Sequence, residues 1–551
     1  MRHHRLIIPV VAGLLVAGCG GDDDSSSDPT DAASAATSGG AASNQTVAAP
    51  TTDASEPSAA GTTESSAASA APAEPMVEPS GTLRFAMTSI PSSMDPAFAG
   101  LDANLIFLTT TYDGLIRTGD EGELAPGLAT EWSLSDDGLT FEMTLREGVT
   151  FQDDTPFDAD AVVANIEHVK ADDSLIAPTL AFIDSVEAVD PTTVRFTLSR
   201  PGGDLPELLR GYAGLMASPT ALAAGTLGQA PVGAGPFRVT AMTDTNIVYE
   251  RWDGYWNADQ VSLAGVEIAV MTDDIARLNA ARSAQLDGTF VRPDQVAEAE
   301  SAGLQTVAGP PTTIYGLSLN PSIPQFENAE VRKAISMAID RDSINSFLFA
   351  DACEPTVQLF APTFWAYSDD IDDAELLTYD PDGARAILEQ EAPGGITMTL
   401  LVSPITAYQR LAEVLQQQFA EVGVTMQIET VDTADRDAHR RAGDYEAILS
   451  PLYPANPDPS TFAEQFYRLA PGSTEYVDPA LPDLIAETRL TVDREERSAA
   501  IGEITATVLE AGTPTVGVCI PSLTYVFDES VSGFETVSQA GVDFRRMTMT
   551  G

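Results

Sequence analysis

Two runs of alternating apolar and polar residues stand out between Leu124 and Lys170. Trp132 and Leu134 alternate with polar neighbours, Asp136-Asp137-Gly138 supplies a turn, and Leu139, Phe141, Met143 and Leu145 alternate again. Period-2 patterns on either side of an Asp-Gly predict a β-hairpin with one buried face. Asp158 then stands where it can cap a helix whose apolar positions are Val162, Val163, Ile166 and Val169. Local physics alone makes this a small α+β unit with no chemistry of its own.

The same logic extends along the chain. Leu83, Phe85 and Met87 alternate into a strand that ends before the turn Ser93–Pro96. Ile183–Val186 and Thr193–Leu198 form another alternating pair. Val266–Val270 predicts a strand leading to a helix over Arg277–Ala284. Tyr315–Asn320 reads as an apolar strand ending in Asn, and Asn328 can cap a helix with Val331, Ile335 and Ile339 on one stripe. Arg332 and Arg341 on that helix are expected to be solvated or paired. Tyr408, Leu411, Leu415, Phe419 and Val422 fall at helical spacing, Gly423 stops the helix, and Val424, Met426 and Ile428 alternate immediately after. Helix followed by strand across a short link suits an α/β layer structure. Pro514–Phe527 predicts a return strand with a proline break, and Val542–Met549 a last edge strand.

Several of these stretches carry a resemblance. The Leu124–Lys170 segment, with its W-x-x-S-DDGLT, LR-x-G-V-x-F and T-P-F-x-A-x-x-V spacings, resembles the signature region of the peptide/nickel-type solute-binding proteins of ABC transporters. Val232-Gly233-Ala234-Gly235-Pro236-Phe237 is similar to that family's "GTGPF" turn, and Arg251–Trp256 (RWDGYW) to its usual sequel. There Gly233 and Gly235 are expected to supply unusual backbone angles, and Tyr255 and Trp256 to be core. NAEVRKAISMAIDRDSI, from Asn328, is a further match, and together the likeness spans nearly all of Gly81–Gly551.

The resemblance implies an α/β fold: a two-lobed periplasmic-binding-protein clamp of type II, from the large cluster with an extra subdomain on the first lobe. Lobe I is expected to comprise 81–122, 232–313 and 512–551, the extra α+β subdomain 123–231, and lobe II 314–511, with the chain crossing between lobes at Asn320 and near Pro514. It implies a ligand site drawn from Ser89, Ile90, Tyr112, Asn320, Trp365, Tyr453, Asn456 and Asp458. Pro362-Thr363-Phe364-Trp365 resembles the family's proline-aromatic loop near the ligand. Leu452–Pro459 resembles its loop of the form aromatic-x-x-Asp-x-x-Asp/Glu-Pro, whose first Asp pairs with a peptide's α-amino group. Ala455 stands at that position here. Burying an unpaired ammonium costs several kcal/mol, against about −8 kcal/mol for a whole micromolar complex. The expected role is an extracytoplasmic receptor that captures a small solute, foremost a peptide, and delivers it to an ABC permease and ATPase. Sugars, amines or metal chelates stay open as solutes, as do a surface sensor and a secreted acidic hydrolase.

Composition refines this picture at the N-terminus. Arg2 and Arg5 precede an apolar run, Leu6–Ala17, ending Leu15-Val16-Ala17-Gly18-Cys19. A run this short suits a signal peptide over 1–18 and not a membrane span. Small residues before a scarce Cys resemble a lipoprotein box, which implies lipidation of Cys19 and attachment to the cell membrane, in the periplasmic space or on the outer face of the plasma membrane, through that anchor only. From 19 to 80, Ala, Ser, Thr, Gly, Pro and acidic residues predominate. Such a segment buries too little surface to offset its chain entropy and is expected to be a stalk with a reach of about 40–45 Å.

Charge and cysteine usage exclude more than they identify. The formal net charge is −54, with only two lysines, Lys170 and Lys333, so nucleic acid is excluded as a partner. The acidity reads first as a solvated surface. Cys353 and Cys519 are a candidate disulfide pair, with separate buried thiols as the alternative. His168 and His439 lack metal-ligand spacing, and there is no Cys/His cluster, phosphate loop or nucleophile elbow. No catalytic residue, metal or cofactor is therefore expected, and the receptor is expected to act as a monomer.

Overall fold

The signature hairpin forms where the alternation placed it. In the computed structural model, strands Ala129–Leu134 and Thr140–Leu145 pair with Trp132 opposite Met143 and Leu134 opposite Phe141. Gly138 turns them at φ 72°. Phe141, Met143 and Leu145 are buried, whereas Leu139 precedes the strand and is exposed. Thr193–Leu198 and Ile183–Asp190 complete a four-stranded antiparallel sheet. The Asp158 carboxylate accepts the Ala161 N–H and opens the helix Ala159–Val169, which buries Val162, Ile166 and Val169. The structure describes residues 80–91, 93–99, 105–120, 122–309, 313–362, 364–371, 373–452, 458–470, 473–534, 536–537 and 541–550. The expected signal peptide, stalk and Cys19 lie outside them.

Two larger sheets divide the rest. The first has seven strands in the order Phe237–Thr243, Asn246–Arg251, Gly265–Val270, Thr82–Met87, Gly288–Val291, Thr524–Phe527, Gln305–Ala308. The second has six, in the order Cys353–Pro355, Thr515–Pro521, Ile314–Leu319, Ala447–Leu452, Ile396–Val402, Val424–Thr430. Within it Ile396–Val402 and Val424–Thr430 run parallel, joined by the helix Thr406–Glu421, the α/β unit that the periodicities predict. Gly423 at φ 84° reverses the chain between helix and strand. The four-stranded sheet shares one apolar core with the first large sheet. The second large sheet has one core on each face, one around Leu317, Ile335 and Leu415, the other around Ile314, Leu452 and Ile504.

The chain passes from the seven-stranded to the six-stranded sheet between Ala308 and Ile314, and back between Pro521 and Thr524. Neither crossing lies at Asn320 or at Pro514. Ile314–Leu319 already belongs to the second sheet, so Asn320 follows the first crossing. Thr515–Pro521 also belongs to the second sheet, so a first lobe resuming at 512 includes a strand of the other half. Pro521-Ser522-Leu523 makes the break, not Pro514, because Thr515–Ser318 pairing holds the chain in the second sheet until Pro521 meets Cys353.

Other local expectations are corrected by packing. The helix after Asn328 ends at Met337, and Asp340 caps a second one, Arg341–Phe349. Arg332 and Arg341 are neither solvated nor ion-paired. Both are buried and donate to backbone carbonyls: Arg332 to Phe326, Glu327, Ala511 and Gly512, Arg341 to Ser336 and Gly517. Burial pushes each guanidinium down to about 10. Gly233 and Gly235 lie outside the positive-φ set. They are needed because a Cβ at either would collide with Thr111 O and Tyr112. The C-terminal stretch forms no single edge strand; Gly541–Val542 pairs with Thr536–Val537 and Thr548–Met549 with Val531–Ser532.

Candidate functional site

The expected ligand residues separate into four situations. Ser89 is exposed and Ile90 is half-buried against the first core, on the loop that follows Thr82–Met87. Tyr112 is a core residue: it is 1% exposed and its hydroxyl donates to Met94 O at 2.9 Å. Burial, then the Asp95 carboxylate, pushes that phenol well above its ordinary range. Asn320 is also 1% exposed. Its Nδ2 donates to the Gly443 and Tyr445 carbonyls at 3.1 and 2.8 Å, and its Oδ1 accepts from the Ser322 N–H and hydroxyl. Asn320 has its amide hydrogen bonds filled and Tyr112 is enclosed in the core, so neither side chain faces a solute in this conformation. Tyr453 and Asn456, like Ala455, lie outside the described residues.

Asp458 opens the helix Pro459–Phe466 and is fully buried. Its Oδ1 accepts from the Ser460 N–H at 2.8 Å and hydroxyl at 2.6 Å, and its Oδ2 from Arg497 Nη2 at 2.6 Å. Both oxygens are committed, so Asp458 shapes the turn and is no substitute counter-charge for an ammonium. Arg497 is 1% exposed as well, and its Nε donates to Thr488 O. Burial alone would lower this guanidinium, but Asp458 and Glu207 outweigh it and raise it.

Trp365 keeps a free donor. The loop carrying it packs on Phe360, Ala366 and Ile501, with the Phe364 ring centroid 5.6 Å away. The guanidinium carbons of Arg494 and Arg497 each lie 5.3 Å from the indole centroid. The indole Nε1 is buried and has no hydrogen-bond partner among the described residues. A buried unpaired donor costs about 1–3 kcal/mol, so such groups are rare and call for an acceptor. An indole with two guanidinium groups on its π system and an unused N–H offers both a stacking surface and a donor.

Sequence reasoning missed Arg494 and Arg497 beside Trp365, and with them the carboxylate Glu207 that pairs with Arg494 and the Arg489–Asp204 contact. In a chain with 82 acidic residues none of them differs from a solvated charge. The only usable signal was Asp493, an N-cap before Arg494–Glu510, which puts Arg494 and Arg497 on the first turn. A separate cavity of about 140 Å³ lies in the first half, lined by Arg117, Tyr255, Asp543, Arg545 and Arg546. Its arginines are paired within that half, Arg117 with Asp113, Arg545 with Asp543 and Arg546 with Asp120. The pocket therefore presents no uncompensated cation. Among the described residues no group of three or more His, Cys, Asp or Glu could hold a metal ion, and no helix is long and apolar enough to cross a membrane.

Comparison with known proteins decides the family. The family model for bacterial extracellular solute-binding proteins, family 5, matches residues 123–474. This chain belongs to that family. The solute-binding protein is 27% identical over 482 residues to the glutathione-binding protein GsiB of Shigella flexneri, covering 82% of this chain and 91% of GsiB. Its fold superposes on the binding protein AgaA in complex with agropinic acid from A. tumefaciens R10, with a TM-score of 0.76 and 25% identity over 86% of this chain and 99% of AgaA. Helicobacter pylori DppA in complex with the peptide STSA superposes with a TM-score of 0.74 and 23% identity over 86% and 98% of the two chains. The protein is thus a two-lobed extracytoplasmic receptor that hands a solute to an ABC importer, and its relatives are binding proteins, not enzymes.

Proposed function

We propose that this solute-binding protein closes its two lobes on a short peptide and carries it, without making or breaking a bond, to its importer. The observation that carries this reading is Trp365: a half-buried indole flanked by two arginines, with its N–H unused. The unused indole N–H suits a ligand that brings a carbonyl or carboxylate oxygen, whereas both arginines are already committed, Arg497 to Asp458 and Arg494 to Glu207. The similarity to a glutathione-binding protein over most of both chains supports a small peptide. Ala455, at the position where peptide-binding relatives place the amine-pairing Asp, favours a second reading, a polar solute without a free α-amino group.

The test is a thermal-shift screen over dipeptides to tetrapeptides, glutathione, oligosaccharides and amines. A ligand at about 100 times its Kd adds roughly 2.7 kcal/mol to stability. Trp365→Ala should abolish the shift and keep the far-UV circular dichroism. An undiminished shift would place the solute away from Trp365.

The N-terminal sequence supports a mature chain that starts at Cys19 and carries its lipid there. Two acyl chains hold a protein at a membrane where a single one does so only reversibly. Cys19→Ser should move the protein from the membrane to the soluble fraction on cell fractionation; retention in the membrane would disprove the anchor.

A further inference from the structure

Among the described residues, charged side chains of the two halves meet face to face. The helix Leu205–Arg210 packs Leu205, Leu208 and Leu209 into the first core. The helices Leu481–Glu487 and Arg494–Glu510 pack Leu481, Ile485 and Ile504 into a core of the other half. Between them Asp204 and Glu207 are 0% and 1% exposed. Each carboxylate has one arginine from its own half: Arg200 lies 2.8 Å from Asp204, and Arg210 2.9 Å from Glu207. Each also faces one from the opposite half: Arg494 Nη2 lies 2.7 Å from Glu207, while Arg489, hydrogen-bonded to Glu464 of its own half at 2.5 Å, brings its Nε to 3.4 Å from Asp204 without a hydrogen bond. Arg494 Nη1 reaches further, to Gly122 O at 2.7 Å. Backbone joins in, since Gly203 N–H donates to Arg489 O at 2.7 Å.

This pattern has a physical logic for a hinged trap. A carboxylate stripped of water without a partner costs several kcal/mol. With Arg200 and Arg210 in place, Asp204 and Glu207 stay neutralised when the halves part, so opening strands no bare charge. With Arg489 and Arg494 added, contact between the halves gains attraction that opening gives back to water. An apolar seam of the same size would bias the molecule towards staying shut. Burial would raise both carboxyls, but the arginines outweigh it and hold both below the usual carboxylate range. Arg494 also lies over the Trp365 ring, so one side chain spans this contact and the candidate solute contact.

We propose that Asp204 and Glu207, gripped by Arg489 and Arg494, form a closure latch, positioning residues that set the open–closed balance of the trap, with Gly203 gauging the approach. The latch rests on the two-lobed trap reading of the function. Gly203 supplies an independent handle. Its backbone is not left-handed, yet a Cβ there would sit 2.8 Å from Arg489 O and closer still to Thr491 O. A side chain at 203 is therefore tolerated only when the halves are apart.

The experiment reads amide exchange at Gly203 and small-angle scattering of the full, ligand-free chain, for wild type, Arg494→Gln and Gly203→Val. Raising NaCl from about 50 mM to about 1 M, where screening shortens to about 3 Å, should speed Gly203 exchange and enlarge the radius of gyration. Both variants should exchange at least about tenfold faster at low salt while keeping the wild-type circular dichroism. Should Arg494→Gln fail to fold, Gly203→Val decides, because it removes no charge. Unchanged exchange and radius in the folded variants would show a fixed interface and overturn the latch. The peptide, glutathione and oligosaccharide thermal-shift panel on wild type, run in parallel, tests solute capture separately, so a failed latch and a failed receptor reading give different results.

Discussion

Asp458 shows how a residue's chemistry depends on what surrounds it. In the sequence it is one more carboxylate in an acidic chain, with nothing to set it apart. In the structure it is buried, caps Pro459–Phe466 and neutralises Arg497, which is itself buried. Removing one partner of a buried pair leaves the other charged and dry, which costs about 3–5 kcal/mol. Asp458→Ala should therefore lower the stability by roughly that amount in urea titration, adding about 1 kcal/mol for the lost cap. A loss under about 1 kcal/mol would mean that Arg497 finds other acceptors. Arg332 and Arg341 make the same point with carbonyls as partners: three-dimensional proximity to Gly512 and Gly517 decided their role, and nothing at positions 332 or 341 announces it.

At the scale of elements, the alternating and helical patterns were legible wherever one face is buried and the other wet. That holds for Ala129–Leu145, Ala159–Val169 and Thr406–Thr430. The pattern fails at ends, where the outcome rests on caps and partners. Leu139 has the right period for its strand but lies outside it, and Asp340 splits one apparent helix into two. The helix Ala159–Val169 also carries His168, whose ring nitrogen meets Asp95 at 2.9 Å in the turn after the first strand. The hydrogen bond to Asp95 outweighs burial and raises the imidazole above its ordinary 6.5. A raised pKa gives stability that is full below about 6.5 and is lost as pH rises through the higher folded value. Thermal melts from acid to alkaline pH should show this decline in wild type and not in His168→Asn. Equal pH slopes in the two proteins would show that the pair contributes nothing.

At the scale of the molecule, one covalent link ties the strands of the second half. Cys353 and Cys519 are joined, Cα to Cα 5.4 Å, across 166 residues of chain, on neighbouring strands of the six-stranded sheet. Closing so long a loop in the unfolded chain is worth about 2–4 kcal/mol in practice. The double replacement Cys353→Ala, Cys519→Ala should lower the melting midpoint while leaving the far-UV spectrum intact; an unchanged midpoint would mean that the β-pairing of Pro355 with Cys519 suffices alone.

Family and sheet content were readable from the chain, because both rest on short-range spacing: alternation, caps, turn glycines and the signature hairpin. What only the tertiary structure decided is which charges face which. The positions of the two crossings, the retirement of Tyr112, Asn320 and Asp458 into packing, and the meeting of Asp204 and Glu207 with Arg489 and Arg494 all join residues far apart in sequence. Burial and pairing are properties of that meeting, since a carboxylate becomes a latch, a cap or a solvated surface charge according to the dielectric and the partner that folding brings to it.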